Sequence, residues 1–277
     1  MGDSAVVSES GGRLGVLSSV AIFWVAYVVL TLGFGFLSRA LIDDQVVAHI
    51  VWTVLGAAGI YGVTRLMLRL EKAPATPVTL AVGPDSLKLM TIGYVVGFAA
   101  FALHLFNVSL VGGPLAIERV AAVGAGAAVL FFCKYFFASV MEELGFRGYA
   151  LQRLQGAWGV WPAVLITSVA FGLSHLNYGW SLQSIVLGVI PSGVLWAVAA
   201  VATRGIAFPI GLHASWNFGH WVMGDKSDPG LFQLSFAEDA VQLTQTVAMI
   251  SSYSIYLVMI GVFWIIYRRN ARGSLDR

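Results

Sequence analysis

Eight stretches of about 20 mostly apolar residues follow one another along this chain, and their length constrains its fold most strongly. They lie near residues 14–37, 45–68, 87–111, 120–142, 160–176, 181–202, 205–223 and 245–267. An α-helix needs about 20 such residues to cross the hydrocarbon core of a bilayer. Only 11% of the 277 residues are charged, less than half the share of about 25% in soluble domains. The pattern predicts an all-α polytopic membrane helix bundle with about eight transmembrane helices.

Charge and cysteine content exclude other classes of protein. The formal net charge is +2, and no run of Lys and Arg alternates with aromatic residues, so we expect no nucleic-acid partner. The single cysteine, Cys133, lies in an apolar stretch, which indicates packing rather than redox or metal chemistry. The expected partner is the lipid bilayer, and the oligomeric state stays open.

The distribution of basic residues predicts an orientation in the membrane. Eight spans place both termini on one side, which then carries 12 Lys and Arg residues against three on the other side, with Lys134 inside a span. Cytoplasmic loops carry an excess of Lys and Arg. We therefore predict a multi-pass protein of the cell membrane whose termini and 69–86 connector are cytoplasmic. The twelve are Arg13, Arg65, Arg69, Lys72, Lys88, Arg147, Arg153, Arg204, Arg268, Arg269, Arg272 and Arg277, and the three are Arg39, Arg119 and Lys226.

Three predicted spans carry polar side chains that are costly in lipid, where such residues are usually functional or paired. At a rise of 1.5 Å per residue, the distance from the terminus-side end of each helix to these side chains is about 12 to 22 Å. Because the depths are similar, we expect one shared site. The side chains are Glu142, Glu143 and Arg147 in the fourth span, His175 in the fifth, and His213 and Asn217 in the seventh.

The spacing within two of these helices predicts local pairs. Glu143 and Arg147 are four residues apart with the acid first, the better order for an ion pair along a helix. His213 and Asn217 have the same spacing and share a helix face. Glu142 is rotated by about 100° from Glu143, so it can face a different neighbour.

The three segments resemble the motifs of the type II CAAX prenyl endopeptidase and bacteriocin-processing family of intramembrane proteases. They read E-E-x-x-x-R at 142–147, F-x-x-x-H at 171–175 and H-x-x-x-N at 213–217. The resemblance covers about residues 130–220. We accordingly divide the chain into the first three spans (1–119), a catalytic core with spans four to seven (120–223), and a loop and last span with a basic tail (224–277).

The resemblance implies a glutamate-dependent endopeptidase whose site lies in a membrane cavity open to the cytosol. No cofactor and no metal are implied, and the substrate would be a peptide or a prenylated peptide. The resemblance implies that Glu142 is the general base for a water molecule that His175 holds. His213 and Asn217 would donate hydrogen bonds to the oxyanion. Glu143 and Arg147 would support these four side chains structurally and electrostatically.

Other functions stay open from the residues alone. A hydrolase could hold zinc through His175, His213 and a carboxylate, although the chain has no H-E-x-x-H motif. Intramembrane Glu and His residues also occur in proton-coupled transporters, but transport favours inverted repeats, which are not evident here. A non-catalytic scaffold or immunity protein would use the same polar side chains as hydrogen bonds between helices.

Overall fold

The computed structural model describes residues 12–72, 84–111, 115–236 and 238–272, and these form a helical bundle. Two short strands, β1 (Leu115–Arg119) and β2 (Phe232–Phe236), pair antiparallel with Leu115 opposite Phe236. The all-α membrane bundle predicted from the sequence is confirmed, with this small sheet as an addition. The helices are α1 (Arg13–Leu41), α2 (Gln45–Leu70), α3 (Pro84–Val111), α4 (Ala125–Glu143), α5 (Tyr149–Trp158), α6 (Val160–Ser174), α7 (Leu182–Ser184), α8 (Ile190–Thr203), α9 (Ala207–Val222) and α10 (Val241–Arg272).

Within the described residues, seven helical segments are long and apolar enough to cross a membrane. Three of them join shorter helices: α4 continues into α5, α6 ends in a tight turn at His175–Tyr178, and α7 continues into α8. The remaining predicted span, the seventh (205–223), corresponds to α9, which has only 16 residues and is buried along most of its length. A helix that neighbours surround on all sides does not need the full thickness of the bilayer.

The helical backbone continues beyond the acidic pair, Glu142 and Glu143. The sequence predicts that the fourth span continues to the turn signals near Gly156 and Gly159. The structure shows helical backbone to Trp158, with one π-helical turn at Leu144–Gly148 between α4 and α5. Gly159 has a φ of 84°, a conformation that glycine adopts without steric cost, and it separates α5 from α6.

Small residues bring α3 and α9 into close contact. Gly93 and Gly97 on α3 lie against the backbone of α9, and a Cβ added to Gly97 would stand 2.6 Å from the carbonyl oxygen of Leu212. Gly211 on α9 is equally tight, since a Cβ there would stand 2.6 Å from the backbone nitrogen of Tyr94. Small residues four apart allow such close approach between membrane helices. This contact positions α9, which carries two of the predicted site residues.

The alternating helix directions give the bundle two distinct ends. The termini end holds the start of α1 and the end of α10, where Arg204 donates to the carbonyl of Asn270 at 3.2 Å. The sheet end holds β1 and β2, and there Lys134 forms an ion pair with Asp228 at 2.6 Å. Which end faces the cytoplasm stays a prediction, and residues 73–83 of the predicted cytoplasmic connector lie outside the described residues.

Candidate active site

One cavity of about 1230 Å³ is lined by all four predicted catalytic side chains. Glu142 reaches it from α4, His175 from the end of α6, and His213 and Asn217 from α9. The three segments are far apart in sequence, so the tertiary fold alone brings them together. The arrangement brings a carboxyl group, two imidazole rings and an amide to the lining of one cavity.

Glu143 and Arg147 form a buried ion pair behind this cavity. Both side chains have no solvent exposure, and Nη1 of Arg147 lies 3.2 Å from Oε1 of Glu143. Nη2 of the same guanidinium donates to the carbonyl of Gly193 on α8 at 3.1 Å. The guanidinium therefore contacts two partners on different helices, with one bond to each. A lysine has a single point charge and could not reproduce this geometry.

His213 lies between the two glutamates. Its Nδ1 is 3.0 Å from Oε1 of Glu143, and its Nε2 is 3.6 Å from Oε2 of Glu142. Oε1 of Glu143 also accepts a hydrogen bond from Nη1 of Arg147; a carboxylate oxygen only accepts, so Nδ1 of His213 carries the proton of its hydrogen bond to Glu143. Only Nε2 is then available to the cavity. The histidine couples the buried ion pair to the side chain of Glu142.

His175 is fixed in one orientation by its own helix. Its Nδ1 lies 2.9 Å from the carbonyl oxygen of Phe171, one turn earlier. A carbonyl only accepts, so Nδ1 donates, and Nε2 of the neutral ring carries a lone pair. A histidine that lines a cavity in this state can accept a hydrogen bond from water.

Asn217 is oriented by a lysine from the loop between α9 and β2. Nζ of Lys226 donates to Oδ1 of Asn217 at 3.3 Å. An ammonium has no acceptor, so the amide oxygen must face Lys226, and the amide NH₂ group is turned toward other partners. Burial lowers the pKa of Lys226, and the nearby charge of Asp225 acts in the opposite direction.

Two aromatic side chains complete the site, and neither was predicted to belong to it. Trp196 on α8 stacks on the His213 ring, with centroids 5.2 Å apart and planes at 15°. Phe171 contacts the His175 ring edge-on at 4.8 Å and lies 4.2 Å under the guanidinium of Arg147. For Phe171, its position in the second motif, F-x-x-x-H, was a sequence signal that it belongs to the site. Neither Trp196 nor Lys226 stands in a motif, so the sequence offered no comparable signal for them.

The zinc alternative finds no support in the arrangement of side chains. Among the described residues, no group of three or more His, Cys, Asp or Glu side chains is placed to hold a metal ion.

A comparison with protein families found one match at this site. The model of the type II CAAX prenyl endopeptidase Rce1-like family matches residues 124–219. The family resemblance is thereby confirmed. The matched segment runs from the start of α4 into α9 and includes all six predicted site residues. A search of curated proteins found no match to the chain. The family indicates a protease that lies in a membrane, and the role of each residue stays a prediction.

Proposed function

We propose that this protein is an intramembrane endopeptidase that hydrolyses a peptide bond with a water molecule activated by Glu142 and His175. The observation that carries the proposal is the convergence of Glu142, His175, His213 and Asn217 on one cavity. The match to a protease family over the same helices supports it. Hydrolysis needs water at the peptide bond, and a cavity within the bundle is where water can reach these side chains.

In the proposed reaction Glu142 takes the proton of the attacking water. Its side chain is 13% exposed, so it contacts the cavity while most of its surface is covered. A general base must lie within hydrogen-bond reach of the proton that it removes. The lone pair on Nε2 of His175 accepts a hydrogen bond from the other O–H of this water, and this bond orients the water oxygen toward the carbonyl carbon. Glu142 then returns the proton to the leaving amine.

The geometry refines the proposed oxyanion contacts. Nδ1 of His213 is occupied by Glu143, so His213 can donate to an oxyanion only through Nε2 and only as the doubly protonated ring. The two glutamate side chains lie on either side of the ring, with Oε1 of Glu143 3.0 Å from Nδ1 and Oε2 of Glu142 3.6 Å from Nε2. Asn217 would donate through its amide NH₂ group, which Lys226 turns away from itself. Losing one oxyanion donor typically lowers the rate about 10²- to 10³-fold.

The test compares the wild-type protein with Glu142→Gln, which keeps the side-chain shape and removes the base. Purified protein in lipid nanodiscs is incubated with a farnesylated peptide, and fragments are identified by mass spectrometry. In parallel, new peptide termini are profiled in membranes of cells that produce either protein. We expect cleavage only with the wild type, and unchanged cleavage in Glu118→Gln, an exposed glutamate of β1 that serves as the control.

The outcomes separate the open alternatives. A Glu142→Gln protein that elutes as the folded wild type but yields the same fragments would contradict the proposed base. Loss of activity with a chelator, together with stoichiometric zinc in the purified protein, would favour the metal-dependent hydrolase. Identical terminus profiles for both proteins would favour a non-catalytic scaffold.

A further inference from the structure

The cavity has its mouth at the sheet end of the bundle. Its lining includes the connection between α1 and α2, the segment between α6 and α8, and the loop after α9. All three connections lie at the ends of helices that run away from the termini end. The exposed side chains of this lining include Gln45, Asn177, Trp180, Gln183, Asp225 and Ser227.

On the other side of the site the bundle is closed. The buried Glu143–Arg147 pair lies directly behind His213, and the next turn contributes the buried side chains of Leu151 and Leu154. A second cavity of about 460 Å³ opens at the termini end and reaches Arg147, but none of the four catalytic candidates lines it. A substrate that came from the termini end would have to break the buried ion pair.

The basic residues mark the termini end as cytoplasmic. Of the Lys and Arg residues that the structure describes, ten lie at the termini end and four at the sheet end, with Arg147 buried between them. An excess of Lys and Arg in short loops marks the cytoplasmic side. The ten are Arg13, Arg65, Arg69, Lys72, Lys88, Arg153, Arg204, Arg268, Arg269 and Arg272, and the four are Arg39, Arg119, Lys134 and Lys226.

We infer that the catalytic cavity opens to the extracytoplasmic side of the membrane. The sequence predicts cytoplasmic termini, and the family resemblance implies a cytosolic cavity; these expectations cannot both hold, because termini and mouth lie at opposite ends. This inference about substrates rests on the proposed function: they are peptide segments exposed at the extracytoplasmic surface, such as those of exported or membrane-anchored proteins. A peptide presented only in the cytosol would not reach Glu142.

Thiol labelling of intact cells tests this inference without any enzymatic turnover. In a Cys133→Ser background, Ser227→Cys places an exposed thiol on the cavity lining and Asp43→Cys places one in the α1–α2 connection at the same end; we call these the two mouth positions. Asp85→Cys places an exposed thiol at the start of α3, at the termini end. A membrane-impermeant maleimide is added before or after permeabilisation. We expect at least tenfold more labelling of the two mouth positions than of Asp85→Cys in intact cells, and equal labelling after permeabilisation.

The reverse pattern, with Asp85→Cys labelled in intact cells and the mouth positions protected, would overturn the inference and restore a cytosolic cavity. Equal labelling of all three positions in intact cells would overturn it too, since it would mean that the chain inserts in both orientations. Neither result depends on whether the protein cleaves peptides. A failure of the Glu142→Gln test would leave the orientation standing, and a failure here would leave the chemistry standing.

Discussion

Removal of Arg147 should reveal how much the structure depends on the buried ion pair. In Arg147→Met the carboxylate of Glu143 stays at a position without solvent exposure. At 3.2 Å and an effective dielectric constant of about 20, the lost Coulomb attraction is about 5 kcal/mol. Breaking a buried pair by removing one partner costs about 3–5 kcal/mol. Because His213 still donates to Glu143, we expect a loss of about 3 kcal/mol in the free energy of unfolding.

The matched control is Lys134→Met. The ion pair of Lys134 with Asp228 is shorter, at 2.6 Å, but its side chains are 14% and 31% exposed. Pairs that water can reach contribute about 0–1 kcal/mol, so this variant should lose less than about 1 kcal/mol. The two variants therefore separate the effect of burial from the effect of distance.

Unfolding by SDS in mixed micelles, followed by tryptophan fluorescence, measures both losses on the same scale. A double-mutant cycle with Glu143→Leu adds the coupling energy of the pair, which we expect to be about 2 kcal/mol or more. If Lys134→Met cost as much as Arg147→Met, or if the cycle showed no coupling, the reasoning from burial would be refuted.

Two further predictions concern the supports of the α9 side chains. Lys226→Met should lower kcat about tenfold with little change in KM, a smaller loss than the roughly 10²-fold loss expected in Asn217→Ala. Lys226→Arg should restore kcat. Equal kcat in the wild type, Lys226→Met and Lys226→Arg would contradict the positioning role of Lys226. Gly97→Ala should destabilise by about 1–3 kcal/mol, because its Cβ meets the backbone of α9, whereas Gly62→Ala, which has open space around it, should be neutral in the same unfolding assay.

The sequence predicts the helices well because lipid imposes one simple rule on them. A segment of about 20 apolar residues has no stable state in a bilayer other than a helix, so spans such as 45–68 fall close to α2 (Gln45–Leu70). The small sheet was not predicted. Its two strands have five residues each, and their pairing depends on a partner more than 100 residues away.

The site residues could be predicted, but their hydrogen-bond partners could not. The choice of Glu142 and His213 followed from polar residues at similar depth. Which glutamate contacts which ring nitrogen depends on the rotation of α4 about its axis, and the π-helical turn at Leu144–Gly148 alters that rotation just beyond the acidic pair. The hydrogen bond from Lys226 to Asn217 depends on how a loop folds back over the cavity, for which no periodicity gives a signal.

The buried ion pair is better explained by the chemistry of the site than by stability. Replacing such a pair with apolar residues of similar volume is often neutral or stabilising, so stability alone gives no reason to keep it. Glu143 has a second task, because it accepts the proton on Nδ1 of His213 and thereby directs Nε2 toward Glu142. Arg147 forms an ion pair with Glu143 and ties it to α8 through the carbonyl of Gly193. The pair therefore fixes the orientation of the one ring that lies between the proposed base and the core.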